Sequence, residues 1–147
     1  MKLPVYLDSS AIVKLYVRES GSAETLKLAG SADLVACSDL GYVEVRAALA
    51  AAWRGQRLRD NDYADTVSLF RRDWVAYSKV SADAALMERA AELAEGFGLR
   101  GYDSIHLASA DRIRLSMPGL LFASFDLTLN RAAKLLAFAL PDFVPFK

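Results

Sequence analysis

The stretch that decides the fold is residues 3–8 (LPVYLD), an apolar run that ends on an acid. Residues 120–126 (LLFASFD) repeat this pattern towards the other end of the chain, where Asp126 closes the run. Both runs are typical of buried strands in an α/β sheet. Side chains at the carboxyl ends of such strands face the crevice where these folds bind ligands, so Asp8 and Asp126 are predicted to share one crevice.

Extended and helical patterns alternate along the rest of the chain. Strands are predicted at residues 3–8, 34–38, 77–80 and 120–125, with a last short strand at 143–146 that Pro145 would confine to a sheet edge. Helices are predicted at residues 11–17 after a hydroxyl cap at 9–10, from 22 to 28 with Gly30 closing the helix, and at 39–53, 60–76, 83–97, 103–110 and 127–138. This alternation predicts one α/β domain over residues 1–147, with a parallel sheet covered on both faces.

Composition limits the possible classes of protein. Of 147 residues, 54% are hydrophobic and 24% are charged, as in compact globular domains. The 18 basic and 18 acidic residues balance, so any contact with a nucleic acid must be local. No run approaches the roughly 18 apolar residues of a membrane span, and Asp8 interrupts the first run before a signal-peptide core forms, so a cytoplasmic location is expected. Cys37 is the only cysteine, which excludes an internal disulfide, and it is expected to pack as a small apolar residue.

Two further acids stand near the starts of predicted helices, Glu44 and Asp103. Together with Asp8 and Asp126 they can meet at one edge of the sheet, where their charges would repel unless a cation is bound. Several carboxylate oxygens suit Mg²⁺ or Mn²⁺, which activates water and stabilises charge on a phosphodiester. The alternative is structural: Asp8 and Asp126 would cap the helices that follow them, and the other two acids would be exposed polar positions.

Four segments resemble, in the right order, the acidic motifs of PIN-domain nucleases: residues 6–11 (YLDSSA), 43–46 (VEVR), 102–108 (YDSIHLA) and 124–126 (SFD). They are most similar to the VapC-type toxins of bacterial and archaeal toxin–antitoxin pairs, and the resemblance spans nearly the whole chain. It implies a three-layer α/β/α sandwich with a central parallel sheet, RNA cleavage that depends on Mg²⁺ or Mn²⁺, and inhibition by a cognate antitoxin.

The resemblance also implies roles for single residues. Asp8 and Asp103 would be the most direct metal ligands, and Glu44 and Asp126 would complete the catalytic acidic cluster. Ser9 matches the small hydroxyl residue after the first acid and would orient Asp8 or a metal-bound water. All four acidic positions are kept, which argues against an inactive member of the family.

Three further side chains lie near these motifs in the sequence. Arg46 and Arg100 are candidates to contact a phosphate of the substrate, and the alternative is that both are surface arginines that pair with nearby acids. His106, the only histidine, follows Asp103 by about one helical turn. We expect it to be packed with its polar end hydrogen-bonded, and the alternative is that it acts as a general base or a metal ligand.

The leading hypothesis is a metal-dependent endoribonuclease that acts as a toxin. One alternative is a phosphoryl-transfer protein with Asp8 as nucleophile, although the phosphatases of that kind carry a second Asp where this chain has Ser10. The other is a non-catalytic PIN-like module that receives a basic peptide in its acidic cleft. The apolar faces of the helices at 39–53 and 60–76 suggest a homodimer, and core burial explains them equally well.

Overall fold

The computed structural model describes residues 2–147 and consists of a parallel sheet with helices on both faces. Its strands are β1 (Pro4–Leu7), β2 (Leu34–Ser38), β3 (Ser78–Val80) and β4 (Leu121–Ala123). Its helices are α1 (Ser9–Val13), α2 (Ser22–Ser31), α3 (Gly41–Arg54), α4 (Asp60–Trp74), α5 (Ala84–Phe97), α6 (Gly101–Ile113) and α7 (Leu127–Leu135). The predicted α/β class and three-layer arrangement are confirmed.

The sheet has the order β3-β2-β1-β4, and every pair of neighbouring strands is parallel. All carboxyl ends therefore lie at one edge of the sheet. Leu7 at the end of β1 pairs with Ala123 at the end of β4, so the next residue of each strand, Asp8 and Ser124, emerges side by side. This register is what brings the two ends of the sequence to one place.

Alternate residues of β1 point into two separate cores, as the two-residue period of a strand requires. Tyr6 packs into the core beneath α5, α6 and α7, where its ring stacks on Phe122 with centroids 5.6 Å apart. Val5 and Leu7 face the other core, beneath α1, α3 and α4. Both faces of the sheet are thus covered, which explains why β1 is apolar at every position.

The apolar faces of α3 and α4 pack inside the molecule. Val45 and Leu49 of α3 and Phe70 of α4 are fully buried in the same core, and Trp74 packs against it. Core packing therefore accounts for the helical faces that suggested a dimer, and the homodimer stays a prediction. Cys37 is also fully buried there, as predicted, and burial raises the pKa of its thiol to about 12.

Local hydrogen bonds move several predicted boundaries. The first helix was predicted to reach residue 17 with a serine cap, but α1 ends at Val13, and its N-cap is Asp8, which accepts a hydrogen bond from the amide of Ala11. The following amides of Lys14, Leu15 and Tyr16 bond three residues back, so the chain tightens into turns instead of continuing the helix.

Two other predictions at element ends are wrong. Gly30 was predicted to close the second helix, yet α2 runs through it to Ser31, because Gly30 does not adopt the left-handed conformation of a helix cap. The predicted strand at 143–146 is irregular instead. Proline has no amide hydrogen for a sheet, and the carbonyl of Pro145 is bound by the side chain of Asn130. Among residues 2–147, no helix is long and apolar enough to cross a membrane.

Candidate active site

Asp8 lies at the centre of the acidic edge and is almost completely buried. Its Oδ1 accepts hydrogen bonds from the hydroxyl of Ser10 at 2.6 Å and from the amide of Ala11 at 3.0 Å. Its Oδ2 accepts one from the hydroxyl of Ser124 at 2.6 Å. Asp8 therefore does cap α1, as the structural alternative proposed, and both of its oxygens also face hydroxyl donors from two different segments.

Burial is the largest influence on Asp8 and raises the pKa of its carboxyl above the usual value. The positive charge of His106 and the hydrogen bonds from Ser10 and Ser124 pull the pKa back down without cancelling the effect of burial. A buried carboxylate is costly unless its charge is compensated. The hydroxyl donors and the nearby imidazole supply part of that compensation from within the protein.

Glu44, on the first turn of α3, contacts two side chains from other helices. The hydroxyl of Ser9 donates to its Oε1 at 2.7 Å, and Nε2 of His106 lies 2.7 Å from the same oxygen. The imidazole is fully engaged, because its Nδ1 lies 2.9 Å from the hydroxyl of Tyr6 and its Nε2 also approaches the Ser9 hydroxyl at 3.3 Å. This places β1, α1, α3 and α6 in one connected set of hydrogen bonds.

The charges of this set reinforce one another. Burial raises the pKa of Glu44, but the hydrogen bond and charge of His106 outweigh it, so the net pKa is lowered. Burial lowers the pKa of His106, but the hydrogen bond with Glu44 and the charges of Asp8, Glu44 and Asp103 raise it overall. The charges of three of the four acids thus act on one imidazole.

Asp103 and Asp126 share a single guanidinium. Nε of Arg100 lies 3.1 Å from Oδ2 of Asp103, and its terminal nitrogen lies 3.3 Å from Oδ2 of Asp126. These carboxylates raise the pKa of Arg100, whose side chain is 81% exposed. The predicted alternative for Arg100, pairing with nearby acids, is therefore what the structure records, and its exposure leaves it free to reach a ligand as well.

Asp126 also caps the helix that follows it, as the structural alternative proposed for it too. Its Oδ1 accepts from the amide of Leu129, while its own amide donates to the hydroxyl of Ser124. Arg46, the other candidate for phosphate contact, donates instead to the hydroxyl of Tyr42 at 2.9 Å and lies over that ring. Arg100 thus links Asp103 to Asp126, and Ser124 links Asp126 to Asp8. Arg46 lies on the ring of Tyr42 instead.

The edge offers the donor chemistry that a hard divalent cation prefers, namely carboxylate and hydroxyl oxygens. In the arrangement described for residues 2–147, however, no three His, Cys, Asp or Glu side chains could hold a metal ion together. The hydrogen bonds above explain this: Asp8 points to two serines, and Asp103 and Asp126 point to Arg100. The residues fit Mg²⁺ or Mn²⁺ in chemistry, and coordination requires Asp103 and Asp126 to turn away from Arg100. Glu44 is held through Oε1, so its Oε2 can bind a cation while the contact with His106 stays.

The sequence reasoning missed the two serines that hold Asp8, and it placed a third serine differently. Ser9 was expected to orient Asp8 or a metal-bound water, and its hydroxyl contacts Glu44 instead of Asp8, whereas the serines that hold Asp8 are Ser10 and Ser124. The signal for Ser124 was available, because a residue that ends a strand next to β1 must emerge beside Asp8. His106, as expected, is buried with both nitrogens hydrogen-bonded.

Comparison with known proteins agrees with this architecture. The family model described as PIN domain matches residues 5–135. The chain is a PIN-domain protein. The match runs from the second residue of β1 to the end of α7 and therefore includes all four acids.

Within the PIN-domain family the chain belongs to the VapC-type group. It is 40% identical over 129 residues to Ribonuclease VapC45 and to Ribonuclease VapC49, from two strains of Mycobacterium tuberculosis, and each alignment covers 88% of both chains. Among solved structures, a toxin–antitoxin complex from Klebsiella pneumoniae matches with a TM-score of 0.60 at 16% identity, covering 83% of this chain and 86% of the other. The structural match at this low identity concerns the fold alone.

Proposed function

We propose that this PIN-domain protein is a metal-dependent endoribonuclease and the toxin of a toxin–antitoxin pair. The observation that carries the proposal is its 40% identity, over 88% of the chain, to two proteins named as ribonucleases. The grouping of Asp8, Glu44, Asp103 and Asp126 at one sheet edge supports it, because phosphodiester hydrolysis needs concentrated negative ligands for a metal ion.

In this proposal the four acids hold Mg²⁺ or Mn²⁺, with Asp8 and Asp103 as the most direct ligands. When bound, such an ion lowers the pKa of a coordinated water and stabilises the charge that develops on the phosphate. The protein's own task is to present ionised carboxylates. Ser10 and Ser124 stabilise ionised Asp8 against the effect of burial, and His106 does the same for Glu44.

Substrate contacts are assigned to Arg100, Ser9 and Arg46. Arg100 is exposed and already lies within 3.3 Å of two carboxylates, so it can donate to a phosphate that approaches the same site. Ser9 offers a hydroxyl beside Glu44, and Arg46 lies two residues beyond Glu44 on the same helix. With a net charge of zero, the chain needs such local contacts to hold a polyanion.

The proposal is tested by cleavage of pooled, labelled cellular RNA by the purified protein with Mg²⁺, Mn²⁺ or EDTA. The matched variants are Asp8→Asn and Asp103→Asn, which keep the shape of each side chain and remove its charge. Discrete products that disappear with EDTA and in both variants are expected. Cleavage that survives in the variants would assign the activity to a contaminating ribonuclease, and no cleavage by the folded, metal-loaded protein would refute the proposal.

A cognate antitoxin is the proposed protein partner, as in the Klebsiella toxin–antitoxin complex with the same fold. The expected site of action is the cytoplasm, and a homodimer is the proposed assembly. Sedimentation of the purified chain tests the last point, and a species of one chain mass at working concentration would exclude the dimer. Induced expression tests the toxin role, because the wild type is expected to arrest growth and Asp8→Asn is not.

A further inference from the structure

His106 is buried beside the proposed metal-binding acids, and both nitrogens of its ring are hydrogen-bonded. Its Nε2 is 2.7 Å from Oε1 of Glu44, and its Nδ1 is 2.9 Å from the hydroxyl of Tyr6. Tyr6 is itself fully buried in β1 and stacked on Phe122. A buried residue of β1 thus holds the imidazole ring, and the ring in turn holds a carboxylate.

The direction of these hydrogen bonds follows from chemistry. An ionised carboxylate can only accept, so Nε2 of His106 must carry a hydrogen and donate it to Glu44. In the neutral ring Nδ1 then accepts from the hydroxyl of Tyr6, and in the charged ring it donates to that oxygen. The contact with Glu44 is therefore present in either form of the imidazole.

We propose that His106 is a positioning residue for the active site: anchored by Tyr6, it fixes the carboxylate of Glu44 in the orientation from which Glu44 joins the other acids around a divalent metal ion. This inference rests on the proposed function, and it goes further by giving a role to a residue outside the four acids. Partners that orient a metal ligand typically change metal affinity about 10- to 100-fold when they are removed.

The exposed fractions support a division of labour. The Glu44 side chain is 28% exposed, so it can reach a metal ion in the cleft, whereas the His106 side chain is 2% exposed and cannot approach a substrate. Ser9 donates to the same carboxylate oxygen at 2.7 Å, and its hydroxyl lies 3.3 Å from Nε2 of His106. An otherwise flexible glutamate is thus held by two donors, and the rotamer entropy that metal binding would otherwise cost is already lost.

The test compares two substitutions of the same residue. The amide of His106→Gln can reach the place of Nε2 and donate to Glu44, whereas the shorter His106→Asn can replace only the Nδ1 contact with Tyr6. Mn²⁺ affinity is measured by isothermal titration, and folding by circular dichroism and thermal unfolding. The glutamine variant is expected to bind Mn²⁺ within about threefold of the wild type, and the asparagine variant about tenfold or more weakly.

Tyr6→Phe is a second, milder variant that keeps the ring on Phe122 and removes only the hydroxyl that anchors the imidazole. It is expected to weaken Mn²⁺ binding several-fold while it stays folded. Tyr16→Phe is the matched control, because Tyr16 is a half-buried tyrosine whose hydroxyl bonds to Asp73 and Tyr77, away from the acids. It is expected to leave Mn²⁺ affinity unchanged.

The outcomes separate this inference from the proposed function. A wild type that binds no Mn²⁺, or binds it equally well as Asp8→Asn, would overturn the proposed metal site itself. A wild type that binds Mn²⁺ at the acids, together with folded Gln, Asn and Tyr6→Phe variants that all bind equally well, would overturn the positioning role alone. Equal weakening by the Gln and Asn variants would also overturn it, because the geometry requires them to differ.

Discussion

The hydroxyl of Ser124 donates a 2.6 Å hydrogen bond to Oδ2 of Asp8, across 116 positions of sequence. The same hydroxyl oxygen accepts from the amide of Asp126 at 3.0 Å. Ser124 thus connects two of the four acids, and it does so because β4 lies beside β1 in register. The end of β4 serves as a support for Asp8 as well as a source of Asp126.

Replacement of Ser124 by alanine is predicted to weaken both folding and metal binding. It removes a donor to a buried carboxylate, which costs about 1–3 kcal/mol in the free energy of unfolding. Mn²⁺ affinity is expected to fall about tenfold, because Asp8 loses a partner that orients it. Urea unfolding and isothermal titration measure the two effects. Ser116→Ala is the control, since Ser116 is exposed and its hydroxyl bonds only locally to the carbonyl of Ile113. Equal behaviour of the two variants would contradict the role given to Ser124.

Arg100→Gln is predicted to have opposite effects on metal binding and on RNA cleavage. The guanidinium of Arg100 competes with a metal ion for Asp103 and Asp126, so its loss is expected to make Mn²⁺ binding roughly two- to fivefold tighter. Cleavage at saturating metal is expected to slow, because a phosphate contact is lost. Arg72→Gln removes a similarly exposed arginine that pairs with Asp73, and it should change neither quantity. Weaker Mn²⁺ binding by Arg100→Gln would contradict the competition.

The positions of the acids followed from sequence, whereas their immediate contacts did not. Strand ends and helix starts are marked by apolar patterns, and the order of the four acidic segments placed them at one edge. The alternation of strand and helix patterns does not predict which hydroxyl contacts which acid. These contacts depend on the register of neighbouring strands and on the direction of each side chain in the first turn of a helix. Ser9 and Ser10 are neighbours in the chain, yet one holds Glu44 and the other holds Asp8.

The errors at element ends have a similar origin. A helix that contains glycine can continue when its backbone keeps helical angles, as α2 does at Gly30. Glycine is required only where the backbone φ is left-handed or where a Cβ would clash with a neighbour. Gly21 meets both conditions, with φ of 90° and the ring of Phe125 close by. Tertiary packing, which the local pattern does not contain, decides between these two cases.

Gly21→Ala is predicted to destabilise the fold, and Gly30→Ala to stabilise it. A Cβ at Gly21 would lie 2.6 Å from an atom of the Phe125 ring, at a backbone angle unfavourable for alanine, which together cost about 1–3 kcal/mol. A Cβ at Gly30 meets nothing within 4 Å and adds helix propensity of about 0.5–1 kcal/mol. Urea unfolding of both variants measures the difference, and shifts of equal sign would contradict it.

Asp83→Asn is predicted to lower stability in a pH-dependent way. Asp83 caps α5 and pairs with Arg112 at 2.8 Å, and the Arg112 hydrogen bond first, then the Leu86 amide, lower its pKa from 3.8 to about 2. A carboxyl whose pKa is lower in the folded state stabilises the folded protein fully when the pH is above the pKa of the unfolded state. This stabilisation is lost as the pH falls towards the pKa of the folded state. The difference in free energy of unfolding between wild type and variant, measured with urea, should therefore be constant above about pH 5 and shrink between pH 4 and pH 2. A gap that is independent of pH would contradict the ion pair.

The most direct test of the central claim is anomalous diffraction from crystals soaked in Mn²⁺ at the concentration that supports RNA cleavage. A peak is predicted at the carboxyl edge of the sheet, with carboxylate oxygens of Asp8 and Asp103 within about 2.0–2.6 Å of it, and the peak should be absent from Asp8→Asn crystals. Mn²⁺ bound away from the four acids, or no bound Mn²⁺ in crystals of the active protein, would contradict a metal-dependent nuclease site at this edge.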